Sequence, residues 1–213
     1  TEQIRVFLDF QILASFIIAT TVLALSPGPD NLFVLIQSAR YGKKSGIAVL
    51  VGLMSGCLIH TSVVAFGLSS FIESNENLYL VLKIFGCSYM LFLAFKAHKS
   101  KVELNSCKQK MPKSGLFKLF KQGFVMNVLN PKVSIFFLAF FPAFLFSKTI
   151  PLFTQFYILG FLFIMASFMV FSAYIILSNY FSKLFFKSNR RLLLLKRLQT
   201  GFFVGIAFAI LTA

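Results

Sequence analysis

The sequence predicts an all-α integral membrane protein. Of its 213 residues 58% are hydrophobic and only 13% are charged, whereas roughly a quarter are charged in an ordinary soluble domain. Three stretches, residues 10–29, 45–72 and 149–182, contain no aspartate, glutamate, lysine or arginine. Crossing a bilayer takes about 20 predominantly apolar residues. Almost the whole chain is therefore predicted to lie in the membrane, with no segment left for a soluble domain.

Six transmembrane helices are predicted from the apolar stretches, at residues 12–37, 46–71, 78–97, 122–146, 152–181 and 198–213. The first is interpreted as a retained span and not as a signal peptide, because the acidic residues Glu2 and Asp9 precede it. The sixth would cover only ~24 Å, at 1.5 Å per residue, slightly less than the ~30 Å hydrocarbon core.

The positive charges predict the orientation. Lysine and arginine concentrate in residues 40–44, 96–121 and 183–197, while the alternate connections hold Glu73, Glu76 and a single Lys148. Cytoplasmic loops of membrane proteins carry such an excess of basic residues. We therefore expect the basic loops in the cytoplasm and both termini outside. The net charge of +15 then reflects topology and anionic lipid, and nucleic-acid binding is not needed to explain it.

This topology divides the chain into two groups of three spans with opposite orientation. It predicts a single transport domain, residues 1–213, built as a 3+3 inverted repeat, an architecture that recurs in transporters. The halves would be about 1–98 and 118–213, joined by the basic cytoplasmic loop 99–117. Gly52 with Gly56, and Gly201 with Gly205, have the spacing that lets helix backbones approach closely. We expect both pairs to pack spans within one chain, although a homo-oligomer remains open.

Two predicted spans, each the first of its half, are interrupted by proline. One contains Pro27, Gly28 and Pro29 followed by Asp30 and Asn31; the other reads Asn127-Val128-Leu129-Asn130-Pro131-Lys132. Proline lacks the N–H of a helical hydrogen bond, and Gly28 between two prolines is expected to supply backbone freedom. Broken spans at corresponding positions of two halves are typical of a transporter's binding site. A plain proline kink is the alternative.

Each break carries a charge at similar depth. Asp30 lies ten residues before Arg40, and Lys132 lies eleven residues after Lys121, so both are ~15 Å from the same surface. Ionisable residues at this depth are functional by default. Asp30 and Lys132 could pair, as a structural ion pair or otherwise, or each could bind one end of a zwitterion. The neighbouring amides are expected to add donors and acceptors to this site: Asn31, Asn127 and Asn130.

The sequence offers few residues or motifs for proton relay, metal binding or catalysis outside the two breaks. His60, in the second predicted span, lies ~24 Å along the helix from Lys44 and so nearer the outer face; it is either a proton relay or a packing histidine. The three cysteines lack disulfide or metal spacing. Metalloprotease, serine-hydrolase and phosphate-loop motifs are absent from the sequence. We therefore expect no enzyme activity, no cofactor, no metal site and no direct use of ATP.

In these motifs the chain resembles the lysine exporter family, in its homoserine/threonine-efflux branch. The family has Pro-Gly-Pro in its first span, here residues 26–31, and Gly-Phe-x-x-Asn-x-x-Asn-Pro-Lys in its fourth, here residues 123–132. Residues 82–91 of the third span also look similar, and His60 falls where such proteins often have histidine.

The resemblance implies a secondary exporter of amino acids or related small metabolites, driven by protons, in the inner membrane of a bacterium. Asp30 would bind a proton or the substrate amine, while Asn127, Asn130 and Lys132 would act from the facing half. Two alternatives remain open. One is an exporter of another solute such as a divalent cation, although intramembrane ligands for it are scarce. The other is a non-transporting membrane interaction protein whose breaks are only packing kinks.

Overall fold

The computed structural model describes residues 2–26, 28–68, 76–99, 114–147, 149–178 and 200–208, with residues 180, 193 and 197. Within them the regular structure is helical and no strand occurs. The helices are α1 (Glu2–Leu25), α2 (Pro29–Tyr41), α3 (Lys43–Val63), α4 (Glu76–Lys99), α5 (Leu116–Val128), α6 (Pro131–Ile135) and α7 (Leu152–Ile176). A π-helical turn, Val64–Leu68, extends α3; a π-helical turn, Phe136–Phe140, and a 3-10 turn, Phe141–Phe144, extend α6. Residues 200–208 are also helical.

The predicted class, an all-α membrane protein, is confirmed. Two helices of the described chain are long and apolar enough to cross a bilayer: α3 with its π-helical turn, 26 residues, and α7, 25 residues. Two bent pairs pass the same test, α1 with α2 at 62° and α5 with the helical turns after Pro131 at 48°. Helix α4 and residues 200–208 lie where the third and sixth spans are predicted, but the count of six stays a prediction.

Two helices begin earlier than the predicted spans. Helix α1 starts at Glu2, ten residues before 12–37, and α5 starts at Leu116, six residues before 122–146. Glutamate, lysine and arginine end an apolar stretch yet are good helix formers, so charge marks the edge of the hydrocarbon and not the end of the helix. Several sequence-based predictions lie outside the described residues: Pro27, most of the basic loop 99–117, most of the basic cluster 183–197, and the ends of the sixth span.

A tight turn at Gly42 joins α2 to α3. Gly42 has φ +88°, the one positive φ in the described chain, and this conformation is open to glycine at little cost. The turn returns α3 antiparallel along α2, where Gly46 leaves room for the hydroxyl of Ser38. Arg40 and Lys43 flank this turn.

Helices α3 and α5 pack in parallel through glycine. A Cβ on Gly52 would collide with the backbone of Phe120, and one on Gly123 with the carbonyl of Val49. The Gly52–Gly56 pair therefore packs spans within one chain, as predicted. The same prediction is wrong for Gly201 and Gly205 as far as the described residues go, because a Cβ on either glycine would have no neighbour within 4 Å. Because α3 and α5 are parallel, their basic first turns lie at the same end of the bundle.

The core beside the second break is built from phenylalanine. Phe136, Phe137, Phe140 and Phe141 are each at most 1% exposed. The ring of Phe137 lies 4.7 Å from that of Phe163 in α7, centroid to centroid, within the range of favourable aromatic pairs. These rings pack the turns that follow α6 against α7.

Candidate functional site

The carboxyl end of α1 is held by side chains from three other helices. The last carbonyl groups of a helix have no partner within it, and here four in succession are bonded, those of Leu23, Ala24, Leu25 and Ser26. Lys132 Nζ in α6 donates to Leu23 O at 3.1 Å and to Ser26 O at 3.3 Å. Asn31 Nδ2 in α2 donates to Ala24 O at 2.6 Å, and the Tyr174 hydroxyl in α7 to Leu25 O at 3.0 Å. A cation at this place also suits the helix dipole.

Helix α2 begins directly after the first break. Pro29 occupies the first helical position, where its missing N–H costs nothing, and Asp30 follows in the first turn. The positive end of the helix dipole favours a carboxylate there. Gly28 has φ −152° and ψ 176°, an extended conformation that any residue adopts. This conformation does not draw on the backbone freedom that glycine offers, so the expected role of Gly28 stays a prediction.

Asn130 closes the second break and joins it to the first. Its Oδ1 accepts a hydrogen bond from the backbone N–H of Lys132 at 3.0 Å, which caps α6, and Pro131 again occupies the first helical position. The Asn130 Nδ2 donates to Asp30 Oδ2 at 2.7 Å. A single amide thus links the carboxylate of one broken span to the backbone of the other, and the two predicted breaks meet.

The hydrogen bonds of the two charged side chains go to neutral groups. Lys132 bonds to carbonyl oxygens of α1, and its Nζ lies 5.8 Å from the ring centroid of Phe203. Asp30 bonds to Asn130 and is 7% exposed. Its second oxygen, Oδ1, is buried and accepts no hydrogen bond from the described residues. Leaving a buried polar atom without a hydrogen bond costs free energy, so a donor from water or from a solute would be stabilised at this atom.

Both breaks line one cavity of about 40 Å³. A water needs roughly 10–15 Å³ of such space, so the cavity has room for about three waters, whereas pockets for small molecules usually measure ~300 Å³ or more. The site is therefore closed in this conformation. Six residues predicted from the sequence line it: Gly28, Asp30, Asn31, Asn127, Asn130 and Lys132.

His60 lies behind the second break. Its Nε2 is 3.1 Å from the backbone oxygen of Asn127, and its ring centroid is 5.4 Å from that of Phe137. The Asn127 amide itself packs on Gly56 and lies 3.5 Å from the sulfur of Cys57. His60 therefore contacts the segment that forms the site but is not among the residues lining the cavity, an arrangement that favours the packing role over the relay.

Several residues of the site were not predicted, among them three whose side chains can form hydrogen bonds. Tyr174 holds the end of α1, while Cys57 and Ser167 line the cavity. Tyr174 carried a recognisable signal: it lies nine residues before Lys183, hence ~14 Å from the predicted cytoplasmic surface, whereas most membrane tyrosines lie at the interface. Cys57 and Ser167 carry no such signal, because small residues are common throughout spans.

The chain matches the family model described as LysE type translocator over residues 21–213. It belongs to this family. The protein is accordingly a membrane translocator and not an enzyme. It is 27% identical to "Homoserine/homoserine lactone efflux protein" of Salmonella typhimurium and of Salmonella typhi, over 78% of this chain and 79% of each relative. It is 28% identical to "Uncharacterized membrane protein YrhP" of Bacillus subtilis, over 62% of this chain and 67% of that protein. No solved structure matches it.

Proposed function

We propose that this protein is a secondary exporter of amino acids or related small metabolites, exchanging them for protons across the inner membrane of a bacterium. The proposal rests on one observation. The carbonyl groups of Leu23 and Ser26 already accept hydrogen bonds from an ammonium group, that of Lys132, and the Asp30 carboxylate lines the same cavity. These groups bind an ammonium. The efflux proteins that the chain resembles are named for homoserine, an amino acid.

The roles follow from the chemistry of each side chain. Asp30 binds either a proton or the amino group of the solute, and mutual exclusion at this one carboxylate couples the two movements. Lys132, released from the end of α1, binds the solute's carboxylate together with the amides of Asn127 and Asn130. Asn31 and Tyr174 keep the remaining carbonyls of α1 satisfied. Pro29 and Pro131 fix the places where the helices separate.

Binding a solute requires the cavity to grow several-fold from about 40 Å³. The bends of 62° and 48° at the two breaks mark the places where the halves can move apart. In the proposed cycle, halves of about 1–98 and 118–213 separate alternately toward each side of the membrane. The parallel α3 and α5 bring the basic residues Lys43, Lys44, Lys118 and Lys121 to one end of the bundle. We assign this end to the cytoplasm, with both termini outside.

A divalent cation is a less suitable cargo. Within the described residues no group of three histidine, cysteine or acidic side chains is arranged to hold a metal ion, and Lys132 places a positive charge in the cavity. Membership in a family of translocators likewise favours transport over the reading of the breaks as packing kinks in a non-transporting protein.

Reconstituted vesicles test the proposal. Vesicles that contain the purified protein are loaded with a panel of labelled amino acids that includes homoserine, threonine and lysine. A pH gradient is then imposed across the vesicle membrane without ATP. We expect the gradient to drive at least one of them, and a protonophore to abolish the movement. Vesicles without protein are the blank. Movement of none of them, or movement that needs ATP and ignores the gradient, would refute the proposal.

A further inference from the structure

A second cavity lies between α2 and α5 and shares no lining residue with the cavity at the two breaks. It measures about 400 Å³, some ten times the volume of the closed site. We call it the α2–α5 groove and define it by its lining residues: Phe33, Lys118, Lys121, Gln122, Val125 and Met126. Neither the breaks nor the proposed transport cycle uses these side chains.

The groove changes in polarity along its length. Lys118 and Lys121 lie in the first two turns of α5 and are exposed, whereas Val125 and Met126 lie one to two turns further along the helix. From Lys118 to Val125 the rise is ~10 Å. Val125 is 50% exposed, as expected of a side chain that faces lipid. The groove is thus charged at the predicted membrane surface and apolar toward the hydrocarbon.

The two lysines have few carboxylates to neutralise them. Eight lysines lie between residues 96 and 121, with Glu103 as the one acidic residue in that stretch. Lys121 Nζ lies 4.6 Å from the ring centroid of the exposed Phe117, a contact that supplies no carboxylate. Lysines at the cytoplasmic surface attract anionic lipid by about 1 kcal/mol each, and basic pockets between transmembrane helices bind anionic head groups.

We propose that the α2–α5 groove binds one anionic phospholipid. Lys118 and Lys121 hold its phosphate at the membrane surface, and one acyl chain lies along Phe33, Val125 and Met126. A free anion would leave these apolar walls uncovered, and a zwitterionic solute would gain nothing from them; an anionic lipid matches both ends. The lipid would brace α2 against α5. Phe33 lies one turn after Asp30 in α2, so the bound lipid supports the helix that carries the site.

The test compares two double variants with the same loss of charge. Lys118→Gln/Lys121→Gln removes the phosphate ligands of the groove, whereas Lys96→Gln/Lys99→Gln removes two exposed lysines from the last turn of α4. Protein from phosphatidylcholine vesicles, with or without phosphatidylglycerol, is examined by native mass spectrometry. We expect one retained phosphatidylglycerol per wild-type chain, and binding at least about tenfold weaker in the groove variant but not in the α4 variant. The experiment measures lipid binding and not transport, so its result does not depend on the proposed function.

Three outcomes would overturn the proposal. Equal losses in both variants would mean general attraction of anionic lipid to a basic surface. Displacement by glycerol phosphate, a head group without acyl chains, at the concentration where phosphatidylglycerol saturates would mean a site for small anions. Absence of retained phosphatidylglycerol on the wild-type protein would mean that the groove binds no such lipid.

Discussion

The first break depends on two side chains from distant helices, Lys132 and Tyr174, in addition to its own Asn31, whereas the second is closed by its own sequence. At the end of α1 the carbonyls bond to Lys132, Asn31 and Tyr174, and Gly28 supplies no side-chain cap. At the second break Asn130 caps α6 directly. Both restart the helix with proline followed by a charged residue. The difference means that a ligand competing for Lys132 would loosen the first break and leave the second intact.

The largest effect is expected for Lys132→Met. It removes the donor that holds Leu23 O and Ser26 O and leaves Asp30 without a nearby positive charge. Hydrogen bonds to charged groups contribute about 1.5–3 kcal/mol, so thermal unfolding in detergent should occur at a clearly lower temperature. The control is Lys96→Met at an exposed lysine of α4. Equal stability of the two variants would show that the first break does not depend on the second.

Comparing Gly56→Ala with Gly28→Ala shows whether each glycine is required for close packing or for its backbone conformation. A methyl group on Gly56 would lie 2.6 Å from the Asn127 amide oxygen, whereas one on Gly28 would have its nearest neighbour at 3.7 Å. Overpacking of this kind costs about 1–3 kcal/mol, while alanine in a compatible conformation is often neutral or stabilising by about 0.4–1 kcal/mol. Gly56→Ala should lower the unfolding temperature and Gly28→Ala should not; the reverse order would contradict the structure.

Asn130 combines two functions that substitution can separate. Asn130→Ala removes both the cap of α6 and the bond to Asp30, at a cost of about 0.5–2 kcal/mol for the cap. Asn130→Ser keeps a capping hydroxyl but is too short to retain the bond to Asp30. We expect serine to recover most of the stability lost with alanine, while vesicle flux stays low. Full flux in Asn130→Ser would mean that the link between the breaks is dispensable.

The smallest effect is expected for Tyr174→Phe, which removes the hydrogen bond to Leu25 O. A neutral hydrogen bond contributes about 0.5–1.5 kcal/mol. Tyr157→Phe is the matched control, because it removes a hydroxyl that bonds to Ser62 at 3.1 Å, away from the cavity. Both should lose similar stability, but only Tyr174→Phe should change the KM of transport. Identical kinetics in the two variants would exclude Tyr174 from the site.

The sequence predicted the breaks well because their signals are local. Proline removes a donor wherever it occurs, and the charge on Asp30 or Lys132 is anomalous in any apolar span. The spacing of Asp30 from Arg40 and of Lys132 from Lys121 predicted one depth for both charges, and the structure brings their segments together through Asn130. The length and apolarity of the spans were sufficient for the all-α membrane class.

What could not be predicted depends on contacts between distant segments. Which donor reaches which carbonyl of α1 follows from how α6 and α7 pack on it, and nothing near Leu23 or Ser26 in the sequence specifies Lys132. A glycine between prolines offers backbone freedom, but only the folded backbone shows that Gly28 has an ordinary φ of −152°. His60 was placed by its distance from Lys44 alone, which could not show its contact with Asn127.

The double variant Asp30→Asn/Lys132→Met tests the central claim, that the two breaks form one transport site. Removing one charge leaves the other buried and uncompensated, which destabilises the fold. Removing both charges eliminates this cost, so a purely structural pair would regain function. The measurement is gradient-driven flux in vesicles, normalised to inserted protein. We predict that the double variant inserts in the membrane yet moves no substrate per inserted protein, whatever stability it loses with the Lys132 hydrogen bonds to Leu23 O and Ser26 O. Wild-type flux from the double variant would contradict the account.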